Sequence, residues 1–323
     1  MLSATDLHGS YPAVITPMTS TRDGIAIDWR AFERLVDAVL EAGSHGVVIA
    51  GTTGQSATVT ADEQVELVRR GVAVASRFAE SHGRAVQIIA SAGSNATGAA
   101  IDLSRRILVE GGAHALLHVT GYYNNPPQEG LIAHFNACAD EAGRHGATVV
   151  LYNVPSRTGC NISAATCIEL ARHPAIIGVK EASGDLDQVQ AILDGTDRSS
   201  FSVVSGEDHL VAELIRRGGT GVISAAANVW PREFQVLCDL ARAGHHGQAA
   251  ELQAALLPCV RAVFAAKNPI PLHAMLGGPL RLPLVGVDAL AEPNRGRVAS
   301  LIAAAREITE FPHSGAHAPI RIH

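Results

Sequence analysis

Lysine is scarce in this chain. Of its 25 basic residues only Lys180 and Lys267 are lysine, and the rest are arginine. A guanidinium keeps its proton near neutrality, whereas an amine in apolar surroundings can lose it, and only the free amine attacks a carbonyl. A sequence this ready to use arginine has little reason to retain lysine for charge alone. Lys180 closes the apolar run Ile176-Ile177-Gly178-Val179 and is followed by Glu181 and Ala182-Ser183-Gly184. Its type and place fit a nucleophile that forms an imine with a small keto acid. The competing reading is a strand-end lysine that snorkels or pairs with Glu181. Lys267, in Phe-Ala-Ala-Lys-Asn-Pro, reads as a surface or helix-end residue.

Four further groups could share that chemistry. Gly51-Thr52-Thr53-Gly54 offers two hydroxyls and exposed amides in a tight turn, which is either a cradle for a carboxylate or a plain turn capped by Thr. Tyr123, in Thr120-Gly121-Tyr122-Tyr123-Asn124, and Tyr152, which opens Tyr152-Asn153-Val154-Pro155, carry phenols. Imine formation needs a proton given to the carbonyl oxygen and another removed, and phenols can relay both; tyrosines here are otherwise packing residues. Arg157 follows in Ser156-Arg157-Thr158-Gly159. It is suited to clamp a carboxylate through two parallel hydrogen bonds, or is an ordinary loop arginine.

These residues need a scaffold that brings them to one place. Eight short runs rich in Val and Ile recur at Ala13–Thr16, Gly46–Ala50, Val86–Ala90, Ala115–Val119, Thr148–Tyr152, Ile176–Lys180, Phe201–Ser205 and Gly221–Ser224. Continuous apolar runs suit parallel strands buried on both faces. Helical signals lie between them: Asp28 before Phe32, Leu35, Val36, Val39 and Leu40, and a capping box at Thr60–Glu63 before Val65, Leu67, Val68 and Val72. Eight strand–helix units imply a (β/α)8 TIM barrel over residues 1–243, with the site at the C-terminal ends of the strands. A doubly wound open sheet is the alternative, but TPMTSTRDG is not the Gly-rich phosphate loop such sheets carry after their first strand. Residues 244–311 read as a C-terminal helical appendage and 312–323 as a mobile tail.

Composition narrows the function. The chain has 323 residues, 47% of them hydrophobic and 17% charged, with net charge -6 and no basic stripe, which argues against nucleic acid. No run is long enough to suggest a membrane span, and MLSATDLHGSYPAV lacks a signal-peptide pattern, so a cytoplasmic protein is expected. The five cysteines (Cys138, Cys160, Cys167, Cys238 and Cys259) lack metal-ligand spacing and read as small packed hydrophobes. The 15 histidines form no HxxxH or HxxE pair on a convincing helix, so no metal site is expected.

In order along the chain, GTTGQSAT, YYNNPPQEG, LYNVPSRTG, IIGVKEASGDL, SGEDH, GVISAAANV and NPIP resemble the motifs of the dihydrodipicolinate synthase (4-hydroxy-tetrahydrodipicolinate synthase) family, from about Tyr11 to about residue 308. That family sits among the pyruvate-dependent class I aldolases with N-acetylneuraminate lyase. The resemblance implies a lyase of lysine and diaminopimelate biosynthesis that condenses pyruvate with L-aspartate 4-semialdehyde. It assigns Lys180 to the imine with pyruvate, Thr52, Tyr152 and Tyr123 to a proton relay, and Thr53 to the pyruvate carboxylate. Arg157 would bind the aldehyde's carboxylate, and the backbone carbonyl of Ile223 would line the site. Tyr123 would cross into a neighbouring subunit's site, implying a homodimer or homotetramer, and no metal or organic cofactor is needed. Another aldolase acting on a keto-deoxy sugar acid, or a non-catalytic keto-acid-binding paralogue, are the competing functions.

The sequence also departs from that pattern. Gln55 replaces the usual Glu, and Gly121 replaces the usual Pro, which bears on the placement of Tyr123. Feedback by lysine uses, in some members, positions matching Ser56, Ala57, Ala61, Gln64, Asn95, Ala99 and Tyr122. This sequence has no histidine at 61 or 64 and no acid at 99, which by the resemblance implies weak or absent lysine inhibition.

Overall fold

The computed structural model describes residues 2–316 and 319–320. Eight strands run parallel: β1 (Gly9–Pro12), β2 (Gly46–Ile49), β3 (Gln87–Ser91), β4 (Ala115–Val119), β5 (Thr148–Asn153), β6 (Ile176–Glu181), β7 (Ser202–Ser205) and β8 (Gly221–Ser224). Each pairs with its successor from β2 onward, and β8 pairs with β1. Ala13 bridges Val48 in parallel, and the Val14 amide donates to the Val48 carbonyl at 3.0 Å, so the ring closes between β1 and β2. Closure rules out the open-sheet alternative, and the architecture is the expected TIM barrel.

Helices α1 (Trp29–Glu41), α2 (Ala61–His82), α3 (Thr97–Arg106), α4 (Gln128–Arg144), α5 (Ala164–Leu170), α6 (Leu186–Gly195), α7 (Val211–Arg217) and α8 (Pro231–Arg242) form the outer ring. Their starts follow the sequence signals. The Asp28 side chain accepts from the Ala31 amide, and Thr60 and Glu63 exchange both bonds of a capping box. The apolar stripe of α1 (Phe32, Leu35, Val36, Val39 and Leu40) is fully buried, and each such side chain contributes roughly 1.5–3 kcal/mol by leaving water.

Side chains alternate across the barrel wall. Val48, Ile89, Leu117, Val150, Val204 and Ile223 fill the interior, while their neighbours face the helices. The N-terminal segment closes the floor: Thr148, Ser202 and Thr220 hydroxyls donate to the carbonyls of Leu2, Ala4 and Leu7. With that end plugged, the cavity lies at the C-terminal ends of the strands.

The structure corrects one boundary and adds one element. The first strand is Gly9–Pro12 rather than Ala13–Thr16; beyond the single bridge at Ala13 the apolar run leaves the wall, and Val14 and Ile15 pack in the outer core. A small hairpin, Met18–Thr21 with Gly24–Ile27, is exposed at its tip and buried at Met18 and Ile27, and falls outside the eight apolar runs. After α8, helices α9 (His246–Val263), α10 (Ile270–Leu276) and α11 (Asn294–Arg306) form the helical C-terminal region, α9 lying against α7, α8 and α11. Of the expected tail, Gly315–Ala316 pairs with Glu310–Phe311, and the Ile320 amide donates to the Val229 carbonyl at 2.9 Å. Residues 317, 318 and 321–323 lie outside the described residues.

Candidate active site

At the open end of the barrel lies a cavity of about 570 Å³. Its walls include Thr52, Thr53, Tyr152, Arg157, Lys180 and Ile223, so six of the seven residues singled out from the sequence converge there. Tyr123 does not. It is 97% exposed and is absent from the cavity wall, which Tyr122 lines instead.

A β-bulge sets the central pair. Between β5 and β6 the register shifts at Val149/Val150, so that Val149 faces Ile176 but Val150 faces Gly178. Past the shift Tyr152 stands directly beside Lys180, and both side chains enter the interior. The Lys180 Nζ lies 4.3 Å from the centre of the Tyr152 ring, and each residue is 7% exposed. That contact seats the side chain against the aromatic face while leaving the nitrogen open to the cavity.

Glu181 does not neutralise this lysine. It projects to the other face of β6, where its carboxylate accepts from the Asn153 and Gln188 side-chain amides and from the Ser183 backbone. The ion-pair reading of Lys180 is therefore excluded by strand alternation. Burial pushes the neighbouring acids upward instead: Glu207 lies above the usual carboxylate range, and Asp208 is raised to about 6, with Lys180 pulling both the other way.

Gly206 makes room for the amine. A Cβ there would stand 2.6 Å from the Ala182 Cβ and 3.1 Å from the Lys180 Cε. Gly206→Ala is expected to displace the lysine and lower turnover about 100-fold, as angstrom-scale misplacement of a reacting group does, with thermal stability reduced much less. Steady-state rates beside a melting curve check this, and an unchanged rate would show that the close approach is unimportant.

The Gly51–Gln55 turn forms the opposite wall. Its backbone is bent by positive φ at Ala50 (53°) and Gln55 (59°), values that cost a side-chain-bearing residue energy and persist only when their surroundings hold them. Here the Thr16 hydroxyl donates to the Gly54 carbonyl at 2.6 Å, and Gln55 Nε2 contacts His273 Nε2 at 3.0 Å. Thr53 Oγ1 accepts from Asn268 Nδ2 at 2.8 Å, which leaves its proton free for a ligand. Arg157 follows β5 in a single helical turn, Pro155–Thr158. Its guanidinium has no ion-pair or hydrogen-bond partner among the described residues.

Sequence reading missed several lining residues. Lys267 and Asn268, placed by the loop between α9 and α10, reach the cavity, so Lys267 stands at the mouth rather than in a remote surface position. Glu207 arrives with the loop after β7. The Asn-Pro-Ile-Pro string was the available signal for Asn268, and the scarcity of lysine was the one signal for Lys267, whose Phe-Ala-Ala-Lys-Asn-Pro setting reads as a helix end. Gly121 keeps ordinary backbone geometry and lies against Pro126, whereas the left-handed residue is Tyr123 itself, with φ 73° and its amide on the Thr158 carbonyl.

A closed (β/α)8 barrel whose sixth strand delivers a lysine amine beside a tyrosine, within a pocket bearing hydroxyls and a free guanidinium, has the architecture of the class I aldolase-type lyases. The model of the dihydrodipicolinate synthetase family matches residues 6–290. A 4-hydroxy-tetrahydrodipicolinate synthase of Methanoculleus marisnigri is 41% identical over 288 residues, covering 87% of this chain and 94% of its own. The dihydrodipicolinate synthase of Cyanidioschyzon merolae, solved with lysine bound, superposes with TM-score 0.83 at 34% identity, covering 93% of this chain and 98% of its own. A structure described as the first monomeric dihydrodipicolinate synthase variant also gives 0.83 at 34% identity, with 94% and 98% covered. The chain belongs to the dihydrodipicolinate synthetase family.

Proposed function

We propose that this protein condenses pyruvate with L-aspartate 4-semialdehyde to 4-hydroxy-tetrahydrodipicolinate, in the lysine and diaminopimelate pathway. The observation that carries the reading is the Lys180 amine, buried beside Tyr152 yet open to a cavity rimmed by an unpaired Arg157. The amine adds to the keto carbon of pyruvate, and loss of water gives the imine. Tyr152 and Thr52 relay the protons, while Thr53 holds the carboxylate. Loss of a methyl proton yields an enamine whose carbon bonds to the aldehyde carbon held through Arg157. The substrate's own amine then displaces Lys180 as the ring closes, which regenerates the free lysine. Ile223 lines this space, and its backbone carbonyl would face the substrates.

Tyr123, held out from its own subunit, would complete the relay in the cavity of a neighbouring copy; a homodimer or homotetramer is the assembly this requires. The protein acts in the cytoplasm on this reading. Among the described residues no helix is long and apolar enough to cross a membrane.

Purified protein given both substrates should consume them in equal amounts. Release of pyruvate from a keto-deoxy sugar acid, with the aldehyde untouched, would favour the other aldolase class instead.

Feedback provides a further check. Ser56, Ala57, Gln64 and Tyr122 lie on the cavity wall, and Asn95 Oδ1 accepts from the Tyr122 amide at 2.7 Å. None of these, nor Ala61 or Ala99, offers a carboxylate for a ligand ammonium. Submillimolar lysine should therefore leave the rate unchanged, and a dose-dependent fall in that range would refute this expectation.

A further inference from the structure

On the outer face of β4, away from the catalytic cavity, three side chains with soft or borderline donor atoms meet. His118 comes from β4, and His134 and Cys138 lie one turn apart on α4. One donor atom from each lies within 4.8 Å of the other two, and the Cys138 Sγ to His134 Nε2 distance is 3.9 Å. Bond lengths to a shared cation of roughly 2.3 Å from sulfur and 2.0 Å from nitrogen place such donors about 3.3–3.7 Å apart, so the three would close on the ion by at most about 1.5 Å.

The surrounding hydrogen bonds orient both rings. Ser104 Oγ gives its proton to the Ala100 carbonyl at 2.6 Å, so it can only accept from His118 Nε2, 3.2 Å away. That fixes the His118 proton on Nε2 and leaves the Nδ1 lone pair, which has no partner although the residue is completely buried. Thr97 Oγ1 contacts His134 Nδ1 at 2.9 Å and leaves Nε2 facing the thiol. A metal-binding histidine commonly has its second ring nitrogen held by a hydrogen-bond partner, and here Ser104 and Thr97 hydroxyls take that place.

We propose that His118, His134 and Cys138 form a buried metal site for a thiophilic cation, with Cu+ the best-matched ion. One thiolate and two neutral imidazoles neutralise a single positive charge, and three soft or borderline donors satisfy the low coordination number of Cu+. Zn2+ would leave a net positive charge in an apolar layer and lack a fourth ligand. Among the described residues no carboxylate hydrogen-bonds to or pairs with these three side chains to compensate for it. Binding breaks the S–H bond, forms the metal–sulfur bond and releases one proton to solvent; no electron is transferred.

The test is anaerobic titration of the whole protein with Cu+ in competition with a chromogenic chelator, and a parallel titration with Zn2+. The expected result is one tightly held equivalent of Cu+, weakened at least about 100-fold in Cys138→Ser and in His134→Gln. His134 is half-buried at the helix surface, so its variant should fold even where Cys138→Ser does not. Cu+ uptake that is unaltered in both variants overturns the site. So does the absence of stoichiometric Cu+ binding, whether or not Zn2+ is bound.

Discussion

Lys180→Ala should lower turnover by roughly three orders of magnitude or more, because it removes the covalent route and leaves only binding and polarisation. The chain makes the accompanying trapping experiment unusually clean, since it contains only two lysines. Borohydride added with pyruvate should fix one reduced adduct to the wild-type protein, and peptide mapping should place it on Lys180. The barrel interior explains the choice. Lys180 is buried and unpaired by Glu181, whereas Lys267 is exposed at the mouth. An adduct on Lys267 alone, or a Lys180→Ala protein of full activity, would sink the imine mechanism.

Arg157→Ala should separate the two substrates. The guanidinium stands free at the cavity rim, and a pair of charge-assisted hydrogen bonds to a carboxylate is worth about 1.5–3 kcal/mol, or roughly 10–150-fold. The expected loss is therefore in kcat/KM for the aldehyde, with the pyruvate KM and the borohydride adduct retained. Arg157→Lys should recover only part, since an ammonium cannot reproduce the fork. Loss of pyruvate trapping in Arg157→Ala would move this arginine to the first substrate, and unchanged aldehyde kinetics would remove it from the site.

Much of the site was legible because chemistry there demands particular residue types next to recognisable punctuation. An apolar run ending in the rare lysine, a Gly-Thr-Thr-Gly turn and an arginine in a Pro/Ser/Gly loop each announce a strand end. A barrel gathers strand ends by construction. The Glu181 alternative was also decidable in principle, since successive residues of a strand face opposite ways. What local pattern could not supply was anything contributed from a distance. Lys267 and Asn268 join the cavity from a loop between C-terminal helices, and Asn268 binds Thr53 across 215 positions. The cysteines looked like five packing residues, and all five are indeed buried thiols. Only the packing of β4 against α4 places Cys138 and His134 beside His118. The i, i+4 spacing of the helical pair was the one signal in the sequence that pointed there.

The sequence by itself determined the order of strands and helices, the capping of α1 and α2, and the presence of a lone imine-competent amine at the end of β6. These depend on residue type and short-range periodicity, which a linear string carries in full. The tertiary structure decided the relation between Lys180 and Tyr152. Without the bulge at Val149/Val150 the same strands, continued from the Val149–Ile176 pair, would set Tyr152 beside Val179, whose side chain packs against the helices. One extra residue in the β6 ladder instead lets Ile177 and Lys180 both face inward and aligns the amine with the phenol. Registers of this kind come from the packing of two whole faces at once, so no window of sequence contains them.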